Sequence, residues 1–361
     1  ERARRYQDSI QAVAMQEAAK LEAEAEELSK QALTLDSTSL FFGANQGTEQ
    51  FTTLENNLVK VTLSNKGGRI VSATLKDYKN QEGEPLVLFN EEESAMNFAF
   101  EGKNENILTE DMFFQPINVS DSTVTMRLAT TGAGYIDFAY RLLPESYMVD
   151  FSIRANGMQN FFPAAQKTLN IEWYQRARQQ EKGFDFEQRY TSLTYKPVDD
   201  GSDYLSEMRE EKEAIEEPLE WIAFKNQFFS SVLIAQNNFE NAVLESVPQE
   251  KGSGFMKNYT AEMTTSFDPT GKEATNFQFY LGPNHFKTLL ASNDLCINKN
   301  EDPELEDLVY LGWPLIRWIN RWFTINLFDW LSGWGLNMGI VLLLMTLIVK
   351  ALVYPATYKS F

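Results

Sequence analysis

The chain has 361 residues, 32 Lys plus Arg against 51 Asp plus Glu, and a net charge of −19, which excludes a nucleic-acid binder that must neutralise phosphates. One cysteine (Cys296) closes no internal disulfide, and one histidine (His285) supplies neither a His-rich metal site nor more than a single candidate base for a Ser-His-Asp triad. Mean hydropathy of −0.35 conceals a split: the tail from residue 308 carries four basic residues, one acid and five of the seven tryptophans, a net of +3 that leaves −22 for the rest.

Residues 1–47 form a linker. Up to about residue 36 they are rich in Ala, Glu, Gln and Lys without Gly or Pro, and Leu21, Leu28 and Leu35 recur every seven residues, which predicts a solvated helix. Three leucines do not sustain a coiled coil. The opening ERARRYQDS has no apolar run and is not a secretory signal. Either the acidic bulk faces the cytoplasm, or a hydrophobic segment precedes the sequence.

Residues 48–303 change to period-two alternation. Val59, Val61 and Leu63 precede the turn signal at 65–68; Val124, Met126 and Leu128 precede Thr131-Gly132-Ala133-Gly134; Ile136, Phe138, Tyr140 and Leu142 follow it. Further runs stand at Val149, Phe151 and Ile153, at Leu169, Ile171 and Trp173, at 232–235, and at Phe277, Phe279 and Leu281. Short strands joined by turn residues, without helical patterns between them, predict antiparallel pairing in one large β-sandwich. The Glu/Lys-rich stretch 202–217 interrupts this rhythm and reads as a solvated loop with a short helical turn. Asp199-Asp200 and Glu91-Glu92-Glu93 read as solvated loops, the glycines at 132 and 134 as a hairpin turn without a phosphate-binding GK[ST], and His285 as a capping or surface residue. No catalytic residue, metal site or cofactor emerges.

Beyond Gly282-Pro283 the pattern is helical, first with Phe286, Leu289, Leu290 and Leu295, then across a polar connection at 298–304 that marks the domain boundary. Residues 304–334 predict an amphipathic helix starting at Pro314, with Arg317, Asn320, Arg321 and Thr324 on one face and Leu315, Ile319, Trp322 and Phe323 on the other. Cationic and aromatic residues so divided suit a helix lying in a membrane interface, entering the next segment by a bend at Ser332-Gly333. Residues 335–361 predict a transmembrane helix. Its ten Leu, Ile and Val residues between 338 and 356 contribute roughly −3 to −6 kcal/mol to insertion, against about +3 for Lys350. A charge so placed needs a hydrated groove, a partner or a route to the headgroups. No acid lies in the span. Thr346, Lys350, Tyr354 and Thr357 fall at i−4, i, i+4 and i+7, a polar stripe of the kind that lines a groove, while Pro355 weakens the helix near Ala351.

The segments YLGP (280–283), LGWPLIRWINRWFTINLFDWL (311–331) and GWGLNMGIVLLLMTLIVKALVYPATYKSF (333–361), with KGGRIVSATLKDY (66–78) and EWIAFKNQFFSSVLIA (220–235), resemble the YidC family of bacterial membrane protein insertases. The resemblance implies a five-span inner-membrane protein with a periplasmic β-supersandwich between its first two spans. It further implies that Lys350 is the basic residue of a hydrophilic groove where many members carry arginine; the charge is kept and the planar fork is lost. Nascent membrane proteins, the Sec translocon and the lipid bilayer are the partners it implies. A single-span anchored periplasmic binding module or carbohydrate-active protein is the alternative, weakened because mutarotase-like catalysis generally uses histidines and this chain has one.

Overall fold

The computed structural model describes residues 38–163, 165–298, 303–310 and 319–358; the predicted helix around Leu21, Leu28 and Leu35, and the segment containing Pro314, Leu315 and Arg317, lie outside these. Two compact units divide the chain after Leu308.

The first unit is an antiparallel β-structure. A four-stranded sheet runs β1 (Phe51–Glu55), β2 (Val59–Ser64), β3 (Ile70–Lys79) and β4 (Pro85–Phe89) in sequential order. The larger sheet, of fourteen strands, follows the path β6-β5-β11-β17-β16-β18-β10-β9-β8-β7. Its strands are β5 (Ser94–Glu101), β6 (Asn106–Leu108), β7 (Gln115–Ile117), β8 (Thr123–Ala129), β9 (Tyr135–Leu142), β10 (Met148–Asn156), β11 (Thr168–Arg178), β12 (Ser192–Pro197), β13 (Asp203–Tyr204), β14 (Glu211–Ile215), β15 (Leu219–Lys225), β16 (Phe229–Pro248), β17 (Phe255–Ser266) and β18 (Thr275–Pro283). The smaller sheet leans on the larger through β4 against β11 and β16 and through β1 against β8 and β9.

Alternation decides which side chains enter the core. Val59, Val61, Leu63, Val124, Met126, Leu128, Ile136, Phe138, Tyr140, Phe151 and Ile153 are all buried. Aromatic rings fill much of the space: Tyr140 stacks on Phe151 at 4.4 Å between centroids and Trp173 on Phe224 at 3.8 Å. Such rings bury large areas and hold preferred geometries worth about 0.5–1.5 kcal/mol per pair beyond burial. The β8–β9 hairpin turns at 130–134 as the glycines require. A side chain on Gly134 would meet Met158 Sδ at 2.7 Å and Gly157 O at 2.8 Å.

One reading changes. The 202–217 stretch holds no helical turn: it contains β13, paired with β12, and β14, paired with β16 over 242–246. A cross-strand partner overrides the helix propensity of Glu, Lys and Ala, as tertiary context often does. Residues 38–47, the described end of the linker, are anchored on the β-unit: Phe41 is fully buried against Phe161 and Leu40 O accepts from Thr131 N (2.7 Å). Beyond β18, α2 (Phe286–Asn293) follows the short α1 (Phe184–Glu187), and the compact unit continues to Leu308 through a buried 3-10 turn at Leu305–Leu308.

The second unit contains a π-helical turn at Asn320–Thr324, α3 (Ile325–Ser332) and α4 (Met338–Tyr358). The turn is wider than the regular helix expected there, and Asn326 Nδ2 donates to the carbonyl oxygen of Trp322 within it (2.9 Å). The bend begins at Ser332, but its left-handed residue is Gly335, with φ of 68°.

Candidate functional site

Asn337 starts α4: its side-chain Oδ1 accepts from Gly339 N (2.9 Å) and its carbonyl from Ile340 N (2.8 Å), satisfying donors that a helix start leaves open. The helix runs 21 residues, through Pro355, about 31 Å at 1.5 Å per residue. Leu342, Leu343, Leu347, Leu352 and Val353 are exposed around it. Among the described residues no helix is long and apolar enough to cross a membrane; the described side chains of α4 stop at Tyr354.

Thr346, Lys350 and Tyr354 stand on consecutive turns of this helix, all exposed. Thr346 Oγ1 donates to Leu342 O (2.8 Å), so its donor is spent within the helix while its lone pairs still face outward. Lys350 is the only charged residue between 338 and 358. The side chain of Thr357 lies outside the described residues, so the stripe is seen over three of its four predicted members. Trp322, Trp330 and Trp334 are more than half exposed, and the last two meet edge to face at 4.6 Å.

The β-unit holds ionisable groups that the pattern reading missed. Lys257 is fully buried, with Nζ donating to Ser206 O (2.6 Å) and Ser246 Oγ (3.1 Å), and burial pulls its pKa down to about 8. Lys225 Nζ donates to Tyr190 O (3.0 Å), and burial likewise lowers it to about 8. Glu187, also buried, accepts from Gln180 N and Glu181 N, yet burial raises its pKa to about 7. The missed signal was register: Lys257 shares the inward side of β17 with Tyr259, Ala261 and Met263. A fourth such group is buried Lys196, whose Nζ donates to Asp200 O (2.7 Å) and lies 3.5 Å from Glu220 and 3.6 Å from Glu304. His285 precedes α2, is exposed, and bonds Thr288 Oγ1 through Nδ1 (2.9 Å), in keeping with its reading as a surface residue.

An acidic antiparallel supersandwich followed by tryptophan-rich helical segments defines a β-domain joined to an apolar helix. The family model described as YidC periplasmic domain matches residues 52–325. The chain belongs to the YidC family. It is 72% identical over 361 residues to the membrane protein insertase YidC of Phocaeicola vulgatus, covering 100% of this chain and 58% of that protein. It is 52% identical to the insertase of Bacteroides fragilis, over 99% of this chain and 58% of the relative, and 38% identical to that of Porphyromonas gingivalis, over 92% and 53%. The chain thus spans little more than half the length of these relatives. Among solved structures, a galactose mutarotase-like protein from Lactobacillus casei aligns with 64% of this chain and 100% of its own, at 12% identity and a TM-score of 0.44.

Proposed function

We propose that the chain is the periplasmic and membrane-entry part of an insertase that places nascent proteins into the bacterial inner membrane, alone or with the Sec translocon. In this reading residues 1–47 link from a preceding span, 48–303 form the periplasmic domain, 304–334 lie in the interface and 335–361 cross the bilayer as one span of a multi-pass protein. The observation that supports it most is 72% identity along the whole chain to a protein named membrane protein insertase YidC.

The physical task fits the residues. Ten apolar residues of a substrate segment gain several kcal/mol on entering lipid, so the segment needs no chemical energy; the barrier is dragging a polar flank through hydrocarbon. A lone cation on an apolar helix, with Thr346, Tyr354 and Thr357 above and below it, lowers that barrier for an acidic flank. No bond is made or broken, and the protein acts as a chaperone for membrane segments rather than an enzyme. Depleting the full-length protein from its host should leave single-span inner-membrane substrates accessible to protease on the wrong side; normal insertion after depletion contradicts the proposal.

A further inference from the structure

A cavity of about 740 Å³ opens on the outward face of the larger sheet. Its floor is a row of directly opposed residues, Thr125, Ala139, Ser152 and Asn276, continued by Gln236 on β16. Asn276 Nδ2 donates to Gln236 Oε1 (2.7 Å). The row beside it opposes Arg141, Asp150 and Gln278. Gln278 is almost fully buried: its Nε2 donates to Asp150 Oδ1 (2.7 Å) and Leu295 O (3.0 Å), and its Oε1 accepts from Ile297 N (2.8 Å). One side chain therefore fixes both the carboxylate of the floor and the 295–297 segment that forms a wall. Arg141 Nε donates to the other oxygen of Asp150 at 2.9 Å.

Three properties narrow the occupant. Among the described lining residues only Arg141 and Asp150 are charged and they pair with each other, so the described lining carries no net charge. The floor strands β8, β9, β10 and β18 each have a partner on both sides, so no backbone groups are open to receive an extended peptide as an added strand. Recognition falls to amides, hydroxyls and a fixed carboxylate, groups that offer donors and acceptors side by side. A ligand whose neighbouring groups are each donor and acceptor at once, without charge, answers that set. Ala139 and Ser152 keep the middle of the floor low, while Tyr140, Phe151 and Phe277 of the same lining are turned into the core and nearly fully buried.

We infer that this cavity binds a neutral saccharide. It holds the ligand through side-chain hydrogen bonds, weakly because no ring stacks on it. The inference does not depend on the insertase reading, and its test needs no insertion. Saturation-transfer NMR on the whole chain in a non-glycosidic detergent, with maltotriose as probe and the peptide Gly-Ser-Asn-Gly as comparison, should give transfer to maltotriose alone, unchanged by added salt. Ser152→Phe, which fills the floor, should weaken it about tenfold. Asn276→Ala, which leaves the space open and removes one amide, should weaken it severalfold with an unchanged melting temperature. No transfer to maltotriose, equal transfer in the wild type and Asn276→Ala proteins, or transfer to the peptide alone overturns the inference.

Discussion

Gly271 shows how much one residue can be worth. It closes the turn before β18 with φ of 73°, and a Cβ there would lie 1.7 Å from the carbonyl oxygen of Ala155. Gly271→Ala therefore combines a strained backbone with a clash against backbone, and a loss of about 2 kcal/mol or more is expected in chemical denaturation. The buried ionisable residues set a pH profile. Glu187 has its pKa raised from 4.5 to about 7, so the folded state holds more protons than the unfolded one between those values and stability falls as pH rises through that window. Burial raises Glu110 and Glu172 as well, in the same direction. Lys225 and Lys257, lowered from 10.5 to about 8, do the reverse: the unfolded state holds more protons between 8 and 10.5, so their penalty is relieved as pH rises through that window. Denaturation series should show these groups giving a stability minimum between about pH 7 and 8, with Glu187→Gln flattening only the acidic limb. Alternation along β17 is the signal that would have placed Lys257 inward; its partners, Ser206 and Ser246, come from distant segments that no periodicity reveals.

At the scale of elements, strands were the most legible feature because a half-buried strand writes its burial into every second residue. The runs at 59–63, 124–128, 136–142 and 149–153 became β2, β8, β9 and β10 for that reason. β14 was missed because its sequence EKEAI carries charge on an exposed edge, and pairing with β16, not hydrophobicity, makes it a strand. The strap at 303–308 was equally hidden. It is held by Trp221 Nε1 donating to Pro303 O (2.6 Å), by Asn293 Nδ2 donating to Glu306 Oε2 (2.7 Å), and by Lys196 near Glu304 and buried Glu220. Trp221→Phe should cost about 1–2 kcal/mol by orphaning a carbonyl, whereas Lys196→Met should cost about 3–5 by removing the cation 3.5 Å from buried Glu220. A larger loss in the Trp221 variant would contradict the order. The spacing of Thr346, Lys350 and Tyr354 in the sequence places them on consecutive helical turns, and all three are exposed there.

At the scale of the molecule, charge and hydropathy divide the chain as its contacts do, with acidic bulk up to Leu308 and a cationic, tryptophan-rich remainder. The first unit carries its own core and most of the negative charge, so residues 38–308 expressed alone should be soluble and melt cooperatively; aggregation without a melt contradicts that independence. For the whole protein the central claim is that the charge of Lys350 assists insertion. The direct measurement is insertion of an acidic-flanked and a neutral single-span substrate by full-length Lys350→Arg, Lys350→Leu and Lys350→Glu proteins in cells depleted of the native insertase. Arg should retain insertion, Leu should lose it mainly for the acidic substrate, and Glu should fail most severely there. Equal activity of the Leu and Lys proteins on both substrates would contradict it, because removing an unneeded buried charge recovers about 3 kcal/mol and harms nothing.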